Sequence, residues 1–416
     1  MFKLLTLAFF SFLFAEQEIN LQNCEQIKTK IVPLLILNVN INDQNIIELL
    51  KKDLMMSGQF EVEIKSAEMP KKVSDITQYF DDGYSVINFL NISDDGNYIE
   101  SRIYDTAQGL MVKGFKIDFN KNIEKFVHQL ASKIWFQLTG EKSCFNSKIA
   151  YVKKVSKSRS QHRTQICFQD LNGEKEFKIV DTATVNVKPQ WNNDKLNPGI
   201  WYSEFTKTNV RLMFSDLHQN RRIVFNFDGT LVGISCLDDE AVYCRSGNIW
   251  HFKYDDKQKK AVHTKLISMQ GTSSSPNFTR NNSIVFACDF EDRSSRICIY
   301  DFSDGQITTI TNSGYCVAPC YSKGNNKIVY CKKDEGVMQL MLYDMNSKIH
   351  EQLTFDSGNK IDPCWSPCGN YVVFCFQTEN LSRVKILNIR TKKSFFITSE
   401  KDLCSYPAWS EQCDNE

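Results

Sequence analysis

The chain is 416 residues long, with 50 Lys and Arg against 49 Asp and Glu, for a net charge of +1. That length allows two or three domains, each with its own core. So even a balance gives no general electrostatic reason to bind nucleic acid or an anionic membrane. The 29 Phe and 15 Tyr favour strands.

The chain opens "MFKLLTLAFFSFLFAEQE". Lys3 is a positive start, Leu4 to Phe14 an apolar core, and Ala15 a small residue suited to cleavage. That is the layout of a secretory signal peptide, residues 1–15, too short to span a bilayer comfortably. No cysteine follows Ala15 to carry a lipid, and no later apolar run is long enough to span. The mature protein is therefore expected to be soluble and extracytoplasmic. Residues 16–30, "EQEINLQNCEQIKTK", are polar and without strong periodicity.

Residues 31–145 read as a small α/β domain. "KIVPLLILNV" is a strand, and "NDQNIIELLKKDLMMSG" a helix with Ile46, Ile47, Leu50 and Leu54 on one face. Asn42 or Asp43 is placed to cap that helix and Gly58 to end it. "QFEVEI", a short helical "DITQYF" and the strands "YSVINFLNI", "NYIESRIYDT" and "MVKGFKIDF" follow, with "DDGN" turning the first hairpin. A second helix, "KNIEKFVHQLASKIWFQLTG", puts Ile123, Phe126, Val127, Leu130 and Ile134 on one stripe and stops at Gly140. His128 is expected on the surface or rim of that helix, in a structural role.

Residues 146–416 repeat. Apolar runs recur at "KIAY" (Ile149), "GIWY" (Ile200), "AVYC" (Val242), "SIVF" (Ile284), "KIVY" (Ile328) and "YVVF" (Val372). A proline two residues before an aromatic recurs as "PQW" at Pro189, "PCW" at Pro363 and "PAW" at Pro407, with "PNF" at Pro276 and "PCY" at Pro319 as the same mark. The one gap in the series is filled by "VGISCLDDEAVYC", with Ile234 in the place of the proline. Between marks lie pairs of short strands ending in Thr. Four strands in a period of roughly 40–45 residues are the signature of a β-propeller blade, and six runs make six blades. The structural rival is a solenoid of strands, whose repeats are usually shorter. The chain ends on a mark, "CSYPAWS", that the first run lacks. Ser405 to Ser410 is thus expected to close the ring by pairing near Ser147, removing two open sheet edges.

The 15 cysteines suit an oxidising compartment, and their odd number leaves at least one unpaired in a monomer. No CxxC pair and no HExxH occurs, so no metal or cofactor is expected. Cys364 and Cys368 read as passengers of the repeat, with Ser366 to Gly369 as a turn. Cys288 with Cys298, on successive strands, and Cys316 with Cys320, flanking one inner strand, are the better candidates for disulfides, although spacing alone does not give connectivity.

The order of export signal, α/β domain, helix ending "LTG" and six-bladed propeller resembles the TolB family, the periplasmic component of the Tol-Pal system. "WFQLTGEKSCFNSKIAYV" is similar to the family's helix-to-propeller junction, and "SDDGNYIESRIYDTAQG" to its hairpin. "DPCWSPCGNYVVF" and "PAWS" are similar to its repeat and closing strand. The resemblance implies a binding protein and not an enzyme, acting in envelope integrity and cell division. It implies that a flexible N-terminal segment, here Glu16, Gln17, Glu18, Ile19, Asn20, Leu21, Gln22 and Asn23, engages a TolA-like inner-membrane protein as an added strand. It implies that a Pal-like peptidoglycan-associated lipoprotein is held by Gly229, Thr230, Leu231 and Val232, by Ser273, Ser274 and Ser275, by Val317 and Ala318, by Ile361 and Asp362, and by Ser405 and Tyr406. Thr230 stands where the family has a contacting histidine.

The alternatives are an adaptor for another partner and a propeller hydrolase or lyase. A serine peptidase needs a further domain with a GxSxG elbow, and none follows the repeats. A lyase or glycosidase needs convergent acids, for which Asp228, Asp238, Asp239 and Asp362 are the candidates. Acids in turns are more simply solvated turn residues.

Overall fold

The computed structural model describes residues 31–411 except 159–160, 174, 193–196, 228, 230, 238–239, 256–259, 281 and 293. The expected signal peptide and the segment 16–30 lie outside the described residues.

The first sheet has five strands: β1 (Val32–Asn38), β2 (Phe60–Ser66), β3 (Val86–Ile92), β4 (Tyr98–Asp105) and β5 (Leu110–Asp118), in the order β2-β1-β3-β4-β5. β1 is parallel to both neighbours, and β3, β4 and β5 are antiparallel. β1 is apolar throughout because both of its faces are covered. Leu34 and Ile36 meet helices α1 (Gln44–Met56) and α3 (Ile123–Thr139), while Leu35 and Leu37 pack with Ile76 of α2 (Ser74–Asp81).

Local chemistry sets the helix ends. The Asp43 carboxylate accepts from Asn45 N at 3.0 Å at the start of α1, and Asn122 accepts from Lys125 N at 3.1 Å at the start of α3. Gly140 ends α3 in the left-handed conformation, φ 70°. Phe126, Val127, Leu130 and Ile134 are buried as the stripe requires, but Ile123, in the first turn, is 38% exposed. The helix starts there at the edge of the sheet, and its first turn overhangs the core.

Six four-stranded antiparallel sheets follow. Blades 1 to 5 span residues 185–227, 231–267, 273–309, 316–352 and 359–396. Blade 6 joins the last strand, Leu403–Trp409, to β6 (Lys148–Ser158) and two more strands. The closing strand pairs in register Leu403↔Lys154 to Trp409↔Ile149, and Ser410 N donates to Lys148 O at 2.9 Å. The ring is a six-bladed propeller closed by its C-terminal strand.

Tryptophans clasp neighbouring blades. Trp365 Nε1–H donates to Cys320 O and Trp191 Nε1–H to Ala408 O, both at 3.0 Å. Each ring fills the space between two sheets while its polar edge satisfies a backbone carbonyl.

The α/β layer and the propeller share one core. Residues of α1 and α3 pack with Ile149, Tyr151, Tyr371, Val373, Ile386 and Trp409 of blades 5 and 6. Glu141, just past α3, receives both guanidinium nitrogens of Arg390 at 2.7 and 2.8 Å and Asn370 Nδ2 at 3.0 Å. Asn388 Nδ2 donates to Ser57 O at 2.8 Å. Gly58 follows with φ 65°, and a Cβ there would lie 3.4 Å from that of Asn388, so glycine serves both the turn and the close approach.

His128 is buried at this joint and not on a rim. Its Nδ1 lies 2.6 Å from Asp53 Oδ2 on α1, and Asn172 of blade 6 donates to Asp53 Oδ1 at 3.2 Å. Burial alone would lower the His128 pKa, but the Asp53 carboxylate holds it above its ordinary value.

The described cysteines carry reduced thiols, and the expected disulfides do not form. Register explains the first pair: Cys298 faces Phe286 and Cys288 faces Arg296, so the two cysteines are diagonal neighbours. Diagonal positions lie about 7–8 Å apart, beyond the roughly 4.4–6.8 Å that a disulfide spans between Cα atoms. A bulge explains the second: it falls between Val317 and Cys320 and reverses the facing of the strand. Cys316 therefore packs between blades 3 and 4, and Cys320 between blades 4 and 5.

Candidate protein-binding face

The six innermost strands are Val185–Asn192, Leu231–Leu237, Ser273–Phe278, Cys316–Ser322, Asn359–Trp365 and Leu403–Trp409. Each is interrupted at the residue before the repeat's proline. The pairing register shifts there in every blade, leaving a bulge. The bulged residues all have positive φ: Lys188 52°, Gly233 80°, Ser275 51°, Ala318 52°, Asp362 52° and Tyr406 50°. Gly233–Ile234 thus occupies the place of the missing proline pair.

Five of these six are not glycine, and for them the left-handed conformation costs about 1 kcal/mol or more each. The bulge turns their side chains into the channel. With the six residues that follow them they line a cavity of about 110 Å³ on the propeller axis.

Charge in that ring is internally matched. Lys188 Nζ bonds Asp362 Oδ1 and lies 4.7 Å from the centre of the Tyr406 ring. Burial pulls the Lys188 pKa down, and the Asp362 carboxylate more than restores it, holding the amine above its ordinary value. Removing one partner of a mostly buried pair leaves the other charge uncompensated. Asp362→Ala is therefore expected to lower stability by about 3 kcal/mol, measured by denaturant unfolding.

The loops that lead into the inner strands lie at the end of the ring remote from the α/β layer. That layer touches the turns at the opposite end of blade 5, after its inner strand at Asn370 and after its third strand at Asn388–Lys393. At three consecutive lead-ins large apolar side chains face solvent: Tyr315, Phe355, which is 75% exposed, and Leu403, the first residue of its strand. Phe355 is held in place from behind. The buried Lys360 amine bonds Asp356 Oδ1 at 2.9 Å and Ser357 O at 3.2 Å. Gly358, φ 81°, leaves room for the Phe376 ring, which a Cβ would meet at 2.6 Å.

The structure brings Ser275, Ala318, Asp362 and Tyr406 together around the channel, with Ser274, Val317, Ile361 and Ser405 partly exposed beside them. Gly229 is exposed in the turn before blade 2, and Leu231 and Val232 begin its inner strand. Ser273 turns inward, fully buried, with its hydroxyl on Cys288 Sγ at 3.5 Å. Thr230 and Glu16 to Asn23 lie outside the described residues, as do Asp228, Asp238 and Asp239. Sequence reasoning missed Lys188, although its place before Pro189 marks it as the equivalent of Asp362. It also missed Phe355, which carries no motif. Among the described residues, no cluster of His, Cys, Asp and Glu could hold a metal ion.

Residues 253–415 match the family described as the TolB beta propeller domain. The later blades of the propeller are thus similar to those of TolB proteins. Among curated relatives, the Tol-Pal system protein TolB of Legionella pneumophila is 24% identical over 196 residues, 46% of each chain. That of Hydrogenovibrio crunogenus is 27% identical over 197 residues, 45% of each chain. The chain thus spans about half the length of the curated relatives it matches. The crystal structure of TolB from Acinetobacter baumannii superposes with a TM-score of 0.77 at 21% identity, covering 92% of this chain and 97% of that one. The TolB fold therefore includes the α/β layer as well as the ring. Among the described residues, no helix is long and apolar enough to cross a membrane.

Proposed function

We propose that this chain is a periplasmic protein-binding component of a Tol-Pal-like system, supporting envelope integrity and cell division. It holds a Pal-like lipoprotein at the lead-in end of its TolB-type propeller and engages a TolA-like inner-membrane protein through residues 16–30. The observation that carries this reading is the ring of five strained non-glycine residues at one end of the channel. Strain of this kind persists where the surrounding structure over-determines it, and it gathers at functional sites. Four of those residues, Ser275, Ala318, Asp362 and Tyr406, are among the positions that the family resemblance assigns to the lipoprotein. The apolar rim at Tyr315, Phe355 and Leu403 adds the surface that a protein partner buries. Asp362, the described acid among the catalytic candidates, is occupied by Lys188, and no observation favours the enzyme reading.

The mature protein is expected to pull down a Pal-like lipoprotein from its own envelope. Ser274→Arg and Phe355→Ser are each expected to weaken that complex at least tenfold, about 1.4 kcal/mol, with unchanged melting. Unaltered affinity in both variants, measured by calorimetry, removes this end of the ring from the interface. Deleting residues 16–28 is expected to abolish binding of the TolA-like protein while leaving the melting curve where it was. A large loss of stability assigns the segment to the fold instead.

A further inference from the structure

Two pairs of thiols meet across elements that the sequence places far apart. Cys320 and Cys364 stand at equivalent positions in the inner strands of blades 4 and 5, and their side chains are in hydrogen-bond contact. Trp365 Nε1–H bonds Cys320 O at 3.0 Å, and Trp409 N–H reaches Cys364 Sγ at 3.4 Å, so both ends of this seam are fixed. Cys144 lies in the junction between α3 and β6, in contact with the thiol of Cys368 in the blade 5 turn. Cys144 is buried in the core shared by the α/β layer and blades 5 and 6, and Cys364 and Cys368 pack against that core.

We propose that Cys144–Cys368 and Cys320–Cys364 are the disulfide sites of this protein, the first tying the helix-to-propeller junction to blade 5 and the second closing the seam between blades 4 and 5 beside the channel. The oxidant is a disulfide, either that of a thiol oxidoreductase or glutathione disulfide. Cys368 attacks one oxidant sulfur as its thiolate and releases the other as a thiolate. Cys144 then attacks Cys368 Sγ, forming the protein bond and releasing the second oxidant thiol. The protein loses two electrons and two protons for each bond, and the oxidant, reduced to a dithiol or two thiols, takes them up. Cys364 and Cys320 close in the same way. In each pair one member, Cys364 or Cys368, is pulled below the ordinary thiol range by its partner's hydrogen bond, as an attacking thiol should be.

Outside the two pairs, every described cysteine whose pKa moves is pushed up by burial, as at Cys167 and Cys404, both to about 12. These are inert core thiols. The Cys144–Cys368 bond joins the two layers at the one place where the chain itself passes between them, so the oxidised form cannot swing the α/β layer off blade 5. The proposal gains its biological setting from export to an oxidising compartment, but its chemistry does not depend on any partner.

The test uses the full mature chain, reduced and unfolded, then refolded in a glutathione redox buffer, alkylated and digested without reduction. Expected are two cross-linked species, 144–368 and 320–364, four fewer alkylated thiols, and a melting temperature several degrees above that of the reduced protein. Cys368→Ser should remove the first link and leave the second. Should refolding fail, native protein purified reduced and incubated with glutathione disulfide gives the same map. Folded protein with all four thiols alkylated, or with Cys288 joined to Cys298, overturns the proposal. Neither result touches the lipoprotein reading, which the pull-down decides separately.

Discussion

A chain that stops at Asp402 is expected to lose its propeller. The strand it lacks, Leu403–Trp409, is the inner strand of blade 6 and is bonded to three blades at once. Within blade 6 it pairs with β6, and Trp409 Nε1–H donates to Ser147 Oγ at 2.6 Å. Toward blade 1, Ala408 O accepts Trp191, and toward blade 5, Cys404 O accepts Ser382 Oγ at 2.7 Å. Trp409 is buried against Tyr371, with ring centres 6.2 Å apart. Losing a side chain of that size alone costs about 3–5 kcal/mol. Loss of Cys404 and Ala408, the ladder of β6 and two clasps comes on top, against a total stability of roughly 5–15 kcal/mol for a domain. Two edges are also opened, β6 on one side and the Trp191 seam on the other. The shortened chain is expected to aggregate or to melt without a cooperative transition, measured by circular dichroism and size exclusion. Melting within about two degrees of the full chain, a loss of no more than about 1 kcal/mol, refutes closure by the last strand.

That closure was legible because its signals are local. A proline beside a tryptophan and a glycine in a turn are written in adjacent residues, and their recurrence gave the six blades even where Gly233–Ile234 replaces the proline pair. The family resemblance then pointed to the loops around the channel. What stayed hidden depends on register and distant packing. Cys288 and Cys298 look paired until one knows that Phe286 and not Cys288 faces Cys298. Cys320 meets Cys364 only because a bulge reverses its strand, and no spacing rule shows a bulge of that kind. Lys188 carries no local mark of its ion pair, because its partner, Asp362, lies four blades further along the chain. His128 reads as a rim residue from its helix alone because Asp53 and Asn172, which meet it in the core, belong to other elements.

The same histidine carries the second large effect. Asp53 and His128 face each other in the core between α1, α3 and blade 6. The other charged groups near them are Asp170 and Lys148, themselves an ion pair. Burial raises the Asp53 pKa more than His128 lowers it, and Asp53 in turn holds His128 above its ordinary value. Both shifts make the folded chain bind protons more tightly than the unfolded chain. By linkage, stability therefore falls as pH rises, and for the histidine the loss begins above its unfolded pKa, about 6.5. The stabilisation is fully present below that value and is gone once pH has passed through the raised folded one. His128→Ala leaves Asp53 buried without its partner, with an expected loss of about 3 kcal/mol or more near neutral pH. His128→Gln keeps a hydrogen-bonding side chain without the charge, and its melting temperature should decline less between about pH 6 and pH 9 than that of the parent chain. Parallel curves for the two proteins would place the titration elsewhere. A pH dependence that shrinks with the histidine identifies the Asp53–His128 contact, beside blade 6, as proton-linked.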